Sequence, residues 1–340
     1  MKLFFKDKRT RIFLGDRFES DLGILFDKNQ LKNKSIILIT GVKSFVESKY
    51  YGQLKNVLKL NNINIVKRLK IHSNPIETEV LNLVPKANQK FDFILAVGGG
   101  SVIDVGKLLK YHFNRDAKLI AIYTLPGSAT VVTPFAVFNN QEFKVGLASD
   151  LLIPDFSYVN TELIENIGID QKLIASADIF AHAVESFYSK ASSFFSRIKA
   201  KRALKILTSQ KSEGFSILPL IKSDIQAGLS ESVGLVLFPH AAGHYLTYKM
   251  NIPHGVATMY FLPEYLRLLF NKGVNIDSEH IKYAEKLQLS LIDMGIMPKI
   301  NLSESDILKL FNLTHKYMDF AYLNSPIKIT EQEYALILKI

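Results

Sequence analysis

A chain of 340 residues exceeds the usual span of one hydrophobic core, so two domains are expected. Apolar residues at 48% against 22% charged exclude a disordered or fibrous chain, and the absence of cysteine excludes disulfides, thiolate metal sites and thiol catalysis, which fits a reducing, cytoplasmic setting. The net charge of +10 is spread over lysines along the whole chain, with no basic block or aromatic-interleaved stripe, so no nucleic-acid partner is read.

The opening MKLFFKDKRTRIFLG carries scattered charge and reads as neither a secretory signal nor a membrane anchor, and no later window is long and apolar enough to span a bilayer. The β-rich runs SIILIT (35–40), INIVKRL (63–69), FDFILAVGG (91–99) and LIAIYT (119–124) alternate with amphipathic helical stretches at 45–60 and 102–111. This alternation predicts a doubly wound α/β nucleotide-binding layer over 1–160. The third run leads into GGGSVIDVGK, where Gly98, Gly99 and Gly100 permit positive φ and close backbone approach, and a helix beginning after Ser101 offers unpaired N–H groups. A pyrophosphate cradle is one reading of such a turn; a steric need for glycine between strand and helix is the other. A second candidate cofactor loop, TLPGSATVV (124–132), follows the next strand.

Beyond about residue 160 the helical period continues without strands, so 161–340 is predicted to be nearly all helical. No Gly/Ser- or Pro-rich linker marks the junction, which suggests tightly packed domains with a cleft between them. Four of the eight histidines, His182, His240, His244 and His254, fall in one stretch of this half. Asp178 and His182 are spaced to share a helix face, as are His240 and His244, while His254 sits in NIPHG just past a helix stop. Imidazoles with one carboxylate suit Fe²⁺ or Zn²⁺, and spacing alone leaves open whether His240 or His244 is the ligand.

With GGGSVIDVGK, ASADIFAHAVESF and PHAAGHYLTYKMNIPHG in this order, the chain resembles the iron-containing (group III) alcohol dehydrogenases from its N-terminal strand region to about Leu266. The resemblance implies a metal held by Asp178, His182, His240 and His254, with His244 near the reacting carbon in a position to relay a proton. It also implies a pyrophosphate loop at Gly98, Gly99, Gly100 and Ser101, completed by Asp104 and Lys107, and a second cofactor loop containing Thr124, Leu125 and Thr133. That second loop departs from the family's TTxGTGSE: Ala129 replaces a glycine and Val131 an acidic residue.

Where the family often carries an aspartate for the adenosine ribose, this chain has Gly41, followed by Lys43 and Ser44, which favours NADP(H) over NAD(H). The expected activity is hydride transfer between a nicotinamide and a small alcohol or its aldehyde or ketone, in a homodimer. TPFAVF and KVGLASDLLIPD resemble phosphonoacetaldehyde reductases within the family, and an anionic substrate is compatible with the basic chain; those enzymes, however, often have glutamine where His182 stands. The C-terminal region ending at EQEYALILKI resembles relatives acting on sugar acids. The alternatives are a sugar-phosphate cyclase resembling dehydroquinate synthase, against which the Asp178 and His182 pair argues, and a binding protein that has lost turnover through its altered loop at Ser128 to Val131.

Overall fold

A computed structural model describes residues 1–6, 9–82, 91–210 and 216–338; the last two residues of EQEYALILKI lie outside them. The chain separates into two compact units. The first comprises residues 1–126, 130–141 and 146–167; the second comprises 127–129, 142–145 and 168–340.

The first unit contains β1 (Lys2–Lys6), β2 (Arg11–Gly15), α1 (Phe18–Lys28), β3 (Ser35–Gly41), α2 (Lys49–Leu60), β4 (Asn64–Ile71), α3 (Glu77–Asn82), β5 (Phe93–Gly98), α4 (Gly100–Phe113) and β6 (Lys118–Tyr123). It continues through β7 (Phe135–Asn139), β8 (Lys144–Ala148), β9 (Phe156–Asn160) and α5 (Thr161–Glu165), although the first residues of β8 group with the second unit. Seven strands form one sheet in the order β1-β2-β9-β6-β5-β3-β4, parallel throughout except for β1, which pairs antiparallel with β2. β7 and β8 pair apart from it.

The central strands are continuous apolar runs because both of their faces are covered. Leu95 and Val97 of β5 join Leu22, Phe26, Leu54 and Leu58 of α1 and α2 in one core layer. Ile94 and Ala96 face α4, where Gly106 lets the helix approach: a Cβ there would meet Leu119 Cδ1 at 2.9 Å and Ala96 Cβ at 3.2 Å. The expected doubly wound layer is therefore present. Its direction reverses at β3, which pairs with β4 on one side and β5 on the other, so the segments after Gly41 and after Gly98 leave the sheet at its switch point.

The expected strands are found with ends shifted by up to two residues, but the helix expected over 45–60 begins only at Lys49, after the extended Ser48 cap. β1, β2, β9 and the β7–β8 pair add to the expected set.

The second unit is helical: α6 (Ile169–Tyr188), α7 (Phe194–Thr208), α8 (Ile217–Gly234), α9 (Phe238–Met250), α10 (His254–Met259), α11 (Leu262–Asn271), α12 (Ser278–Asp293), α13 (Glu304–Met318), α14 (Phe320–Leu323) and α15 (Glu331–Ile337). α6 is buried along nearly its whole length, and α7, α8, α10 and α12 pack on it. Among the described residues, no helix is long and apolar enough to cross a membrane.

Candidate active site

At the glycine turn, the helix starts two residues earlier than expected, at Gly100. Gly99 is the cap of α4, and the first intrahelical bonds run from the Val102 and Ile103 N–H groups to Gly99 O at 3.1 and 3.2 Å. The N–H groups of Gly100 and Ser101 thus precede the helical ladder, at the positive end of a 14-residue helix. None of the three glycines has positive φ, which corrects that part of the expectation. Gly98 is required sterically, since a Cβ would lie 2.6 Å from Val102 Cβ; at Gly99 a Cβ would rest against Leu125 at 3.4 Å.

The second loop lies beside the turn. Thr124 N donates to Gly98 O at 3.1 Å, and Leu125 is the residue facing Gly99. Gly41, at the end of β3, has open space around its Cβ position, and Lys43 is exposed. Asp104, Lys107 and Thr133, also expected at the cofactor loops, are engaged within the protein. Asp104 is buried, accepting from Thr130 Oγ1 at 2.6 Å and Val137 N at 3.2 Å. Lys107 is fully buried and donates to Thr133 O at 3.1 Å and Phe135 O at 2.5 Å, with Thr133 Oγ1 at 3.5 Å. These side chains anchor the polypeptide after β6 to α4, because a buried charge must be paired within the protein.

In the second unit, three elements converge. Asp178 projects from α6, His240 from α9, and His254 from the first turn of α10. One ligand atom from each lies within 4.8 Å of the other two. Two glycines permit this convergence. A Cβ on Gly255 would meet Ile174 O at 2.5 Å and the Asp178 N and Cβ at 3.0 Å, and one on Gly243 would meet Thr258 Oγ1 at 2.8 Å and its N at 3.1 Å. The backbone of α10 is therefore pressed against both α6 and α9, which brings His254 to Asp178 and His240.

His182 does not join this trio. Its ring stacks on that of His240 with centroids 4.5 Å apart, and its Nε2 lies 3.7 Å from Glu231 Oε2. Asp178 Oδ1, His182 Nδ1 and His240 Nε2 are buried without a hydrogen-bond partner. Nearly all buried polar atoms are satisfied in proteins, so three open ones in one cluster are the signature of a site built for a ligand, and their N and O chemistry fits a divalent cation.

The electrostatics agree. Burial, assisted by Asp224 and Glu185 and opposed by Lys144, raises the Asp178 carboxyl to about 8. Burial and Lys144 lower His240 to about 3. His182, His244 and His254 are likewise held well below the ordinary imidazole range, chiefly by burial. All four rings are neutral at physiological pH, the form in which imidazole binds metal.

Glu185 was missed by sequence reasoning. Fully buried one turn beyond His182, it accepts from Leu237 N at 2.7 Å and contacts His240 Nδ1 at 2.6 Å. That contact aims the ring and leaves Nε2 as the open atom. The signal was available: Asp178, His182 and Glu185 share one stripe of α6. His244 is distinct from the trio. Its Nδ1 must donate to Lys144 O at 2.8 Å, since a carbonyl only accepts, so its Nε2 carries a lone pair, and the ring meets that of His254 edge-on at 4.7 Å.

Residues 10–161 match the family model described as iron-containing alcohol dehydrogenase. Similarity to curated relatives extends further. An NADPH-dependent butanol dehydrogenase of Clostridium saccharobutylicum is 24% identical over 295 residues, 79% of this chain and 75% of the relative. The bifunctional aldehyde-alcohol dehydrogenase of Escherichia coli is 26% identical over 64% of this chain, which spans only 29% of that larger protein. In three dimensions, an iron-containing alcohol dehydrogenase from Thermotoga maritima superposes with a TM-score of 0.81 at 22% identity, covering 99% of this chain and 98% of its own. Over residues 10–161 the chain is thus similar to the iron-containing alcohol dehydrogenases, and its fold is theirs.

The departures of the second loop from the pattern of the family it resembles can now be placed. Ala129, at the glycine position, holds φ 49°, so the backbone keeps the left-handed path that glycine adopts without strain; Asp224 secures it by accepting from Ala129 N at 3.0 Å. Val131, at the acidic position, is fully buried, so the carboxylate is replaced by apolar packing rather than by a void.

Proposed function

We propose that this chain is a member of the iron-containing alcohol dehydrogenase family and a metal-dependent, NAD(P)-linked oxidoreductase that interconverts a small alcohol and its aldehyde or ketone. The observation that carries the reading is the buried pair of open atoms, Asp178 Oδ1 and His240 Nε2, gathered with His254 on three helices. Asp178, His240 and His254 would hold the cation, Fe²⁺ or Zn²⁺, with His182 as a fourth ligand recruited from its stacked position. When bound, the ion supplies a Lewis acid that polarises the substrate carbonyl.

The remaining roles fall to the chain itself. The Gly98–Ser101 turn and the start of α4 offer N–H donors to a pyrophosphate, with Thr124 and Leu125 alongside, and residues 1–160 act as the dinucleotide domain. The open space at Gly41 and the exposed charge of Lys43 favour NADP(H) over NAD(H). Residues 161–340 form the metal-binding catalytic domain, whose buried walls exclude water.

Reduction consumes the carbonyl compound, one hydride from NAD(P)H and one proton, and yields the alcohol and NAD(P)⁺. His244, neutral and open at Nε2, accepts the alcohol proton directly in the oxidative direction; in the reductive direction it must first be protonated. Asp104 and Lys107 complete the cofactor-loop segment by holding the chain after β6 against α4. The cysteine-free composition supports a cytoplasmic setting, and a homodimer is the assembly we propose.

The test is metal analysis of the purified protein, followed by absorbance assays of NADPH and NADH oxidation with short aldehydes. Stoichiometric metal and consumption of reduced nucleotide are expected. Tight nucleotide binding with no consumption by the metal-loaded protein would instead show a binding protein that has lost turnover.

A further inference from the structure

Between the last turns of α2 and the start of β4 lies a cavity of about 370 Å³, which the function just proposed leaves unused. Leu58, Ile63 and Ile65 give it apolar surface, while Lys55, Lys59 and Arg68 give it charge. Ile65 pairs with Ile36, and Ile71 with Gly41, so the cavity stands toward the amino ends of the parallel strands. Gly41 and Gly98 are at the opposite, carboxyl ends.

Local structure brings the three cations together. Lys55 and Lys59 are four apart on α2 and project from one face. Arg68 reaches the same side through an irregularity in β4: Ile36 pairs with Ile65 but Ile37 with Lys67, so Val66 is an extra residue in the strand. Residues three apart on a regular strand face opposite sides, and this bulge turns Arg68 to the side of Ile65. Tyr51 of α2 then holds it: Arg68 Nη1 donates to Tyr51 Oη at 2.9 Å, and Lys55 Nζ lies 5.0 Å from the centre of the same ring.

A phenol fixes a guanidinium without neutralising it. Among the described residues no carboxylate lines the cavity, and none pairs with Lys55, Lys59 or Arg68. Solvated lysines are common on a basic chain, and Lys59, in the last turn of α2, also complements the helix dipole. Neither accounts for an arginine re-aimed by a bulge beside apolar residues. Like charges around one cavity repel each other until an anion joins them, and a guanidinium matches phosphate with paired N–H donors. The volume is that of a small-ligand site.

We propose that this cavity binds an organic phosphate with an apolar body, at a site separate from the dinucleotide turn. The phosphate meets Arg68 and the two lysines, and the apolar part rests on Leu58, Ile63 and Ile65. The inference does not depend on the oxidoreductase reading.

Calorimetric titration of the full-length protein tests it, with phenyl phosphate, inorganic phosphate and phenol as probes and saturating NADPH present to occupy the dinucleotide turn. One phenyl phosphate per chain is expected, bound about tenfold or more tightly than inorganic phosphate or phenol, and less tightly as salt is raised. Arg68→Gln and Lys59→Gln change exposed side chains, so the fold should be kept, as circular dichroism will show. Each is expected to weaken phenyl phosphate binding about tenfold, and Arg68→Lys to restore part of the loss.

No binding of phenyl phosphate overturns the inference. So does equal affinity for phenyl phosphate and inorganic phosphate, which would reduce the cavity to diffuse surface charge. Binding that both glutamine variants leave intact overturns it as well, by placing the anion elsewhere. Aldehyde turnover by the wild type bears on the oxidoreductase reading alone, so the two can fail separately.

Discussion

Replacement of Glu185 by Gln isolates the group that aims His240. Glu185 presents one oxygen to Leu237 N at 2.7 Å and the other to His240 Nδ1 at 2.6 Å. In Glu185→Gln the amide carbonyl can still serve Leu237, but its NH₂ then faces Nδ1, which must act as acceptor. The single proton of the neutral ring moves to Nε2, the atom that is otherwise open, and the lone pair needed for a cation is removed.

Loss of such a partner costs about 10- to 100-fold in metal affinity, or about 1.4 to 2.8 kcal/mol. The isosteric change keeps the buried volume, so the fold is preserved and the effect is read at the metal. Competition with a chromophoric chelator measures the affinity, and circular dichroism confirms folding. A folded Glu185→Gln protein that binds Zn²⁺ as tightly as the wild type would show that His240 Nε2 is not a ligand atom.

Three further expectations follow from the same geometry. Gly255→Ala places a Cβ 2.5 Å from Ile174 O and 3.0 Å from the Asp178 backbone, contacts that no side-chain rotation relieves; a loss of about 1 to 3 kcal/mol and of bound metal is expected, read by thermal melting and metal analysis. Burial raises Asp178 to about 8, so its carboxyl is protonated at neutral pH before a cation arrives. Metal binding near pH 7 should therefore release about one proton from Asp178, and affinity should rise with pH until the carboxyl is ionised near 8; calorimetry in buffers of different ionisation enthalpy measures this, and pH-independent affinity between 6 and 8 would exclude Asp178. Gly41→Asp fills open space at the switch point with a carboxylate and should shift the preference from NADPH toward NADH, measured as the ratio of their kcat/KM values; an unchanged ratio would place the adenosine ribose elsewhere.

What the sequence disclosed followed from burial on both faces. SIILIT and the run ending at Gly98 are apolar without interruption because α1 and α2 cover one side and α4 the other, and such runs need no alternation to be recognised. β1 and β2, KLFFK and RIFLG, escaped notice because the charged residues within and between them mark the edge of a sheet. The histidine spacing revealed which side chains could meet, but not their orientation, which depends on helix packing through Gly243 and Gly255. This is why His182 could be grouped with the ligands by its spacing and yet stand stacked on His240. Asp104 and Lys107 lie within the phosphate-loop motif but face inward, a distinction invisible until the strand and turn after β6 are folded against α4.

The central claim is that three side chains from three helices form one metal centre. Anomalous diffraction at the metal absorption edge, from crystals of the protein loaded with Fe²⁺ or Zn²⁺, tests it most directly. One strong peak is expected within bonding reach of Asp178, His240 and His254, with His182 turned toward it from its stacked position. A peak bonded to other residues, or none at these three in a fully loaded crystal, would contradict it.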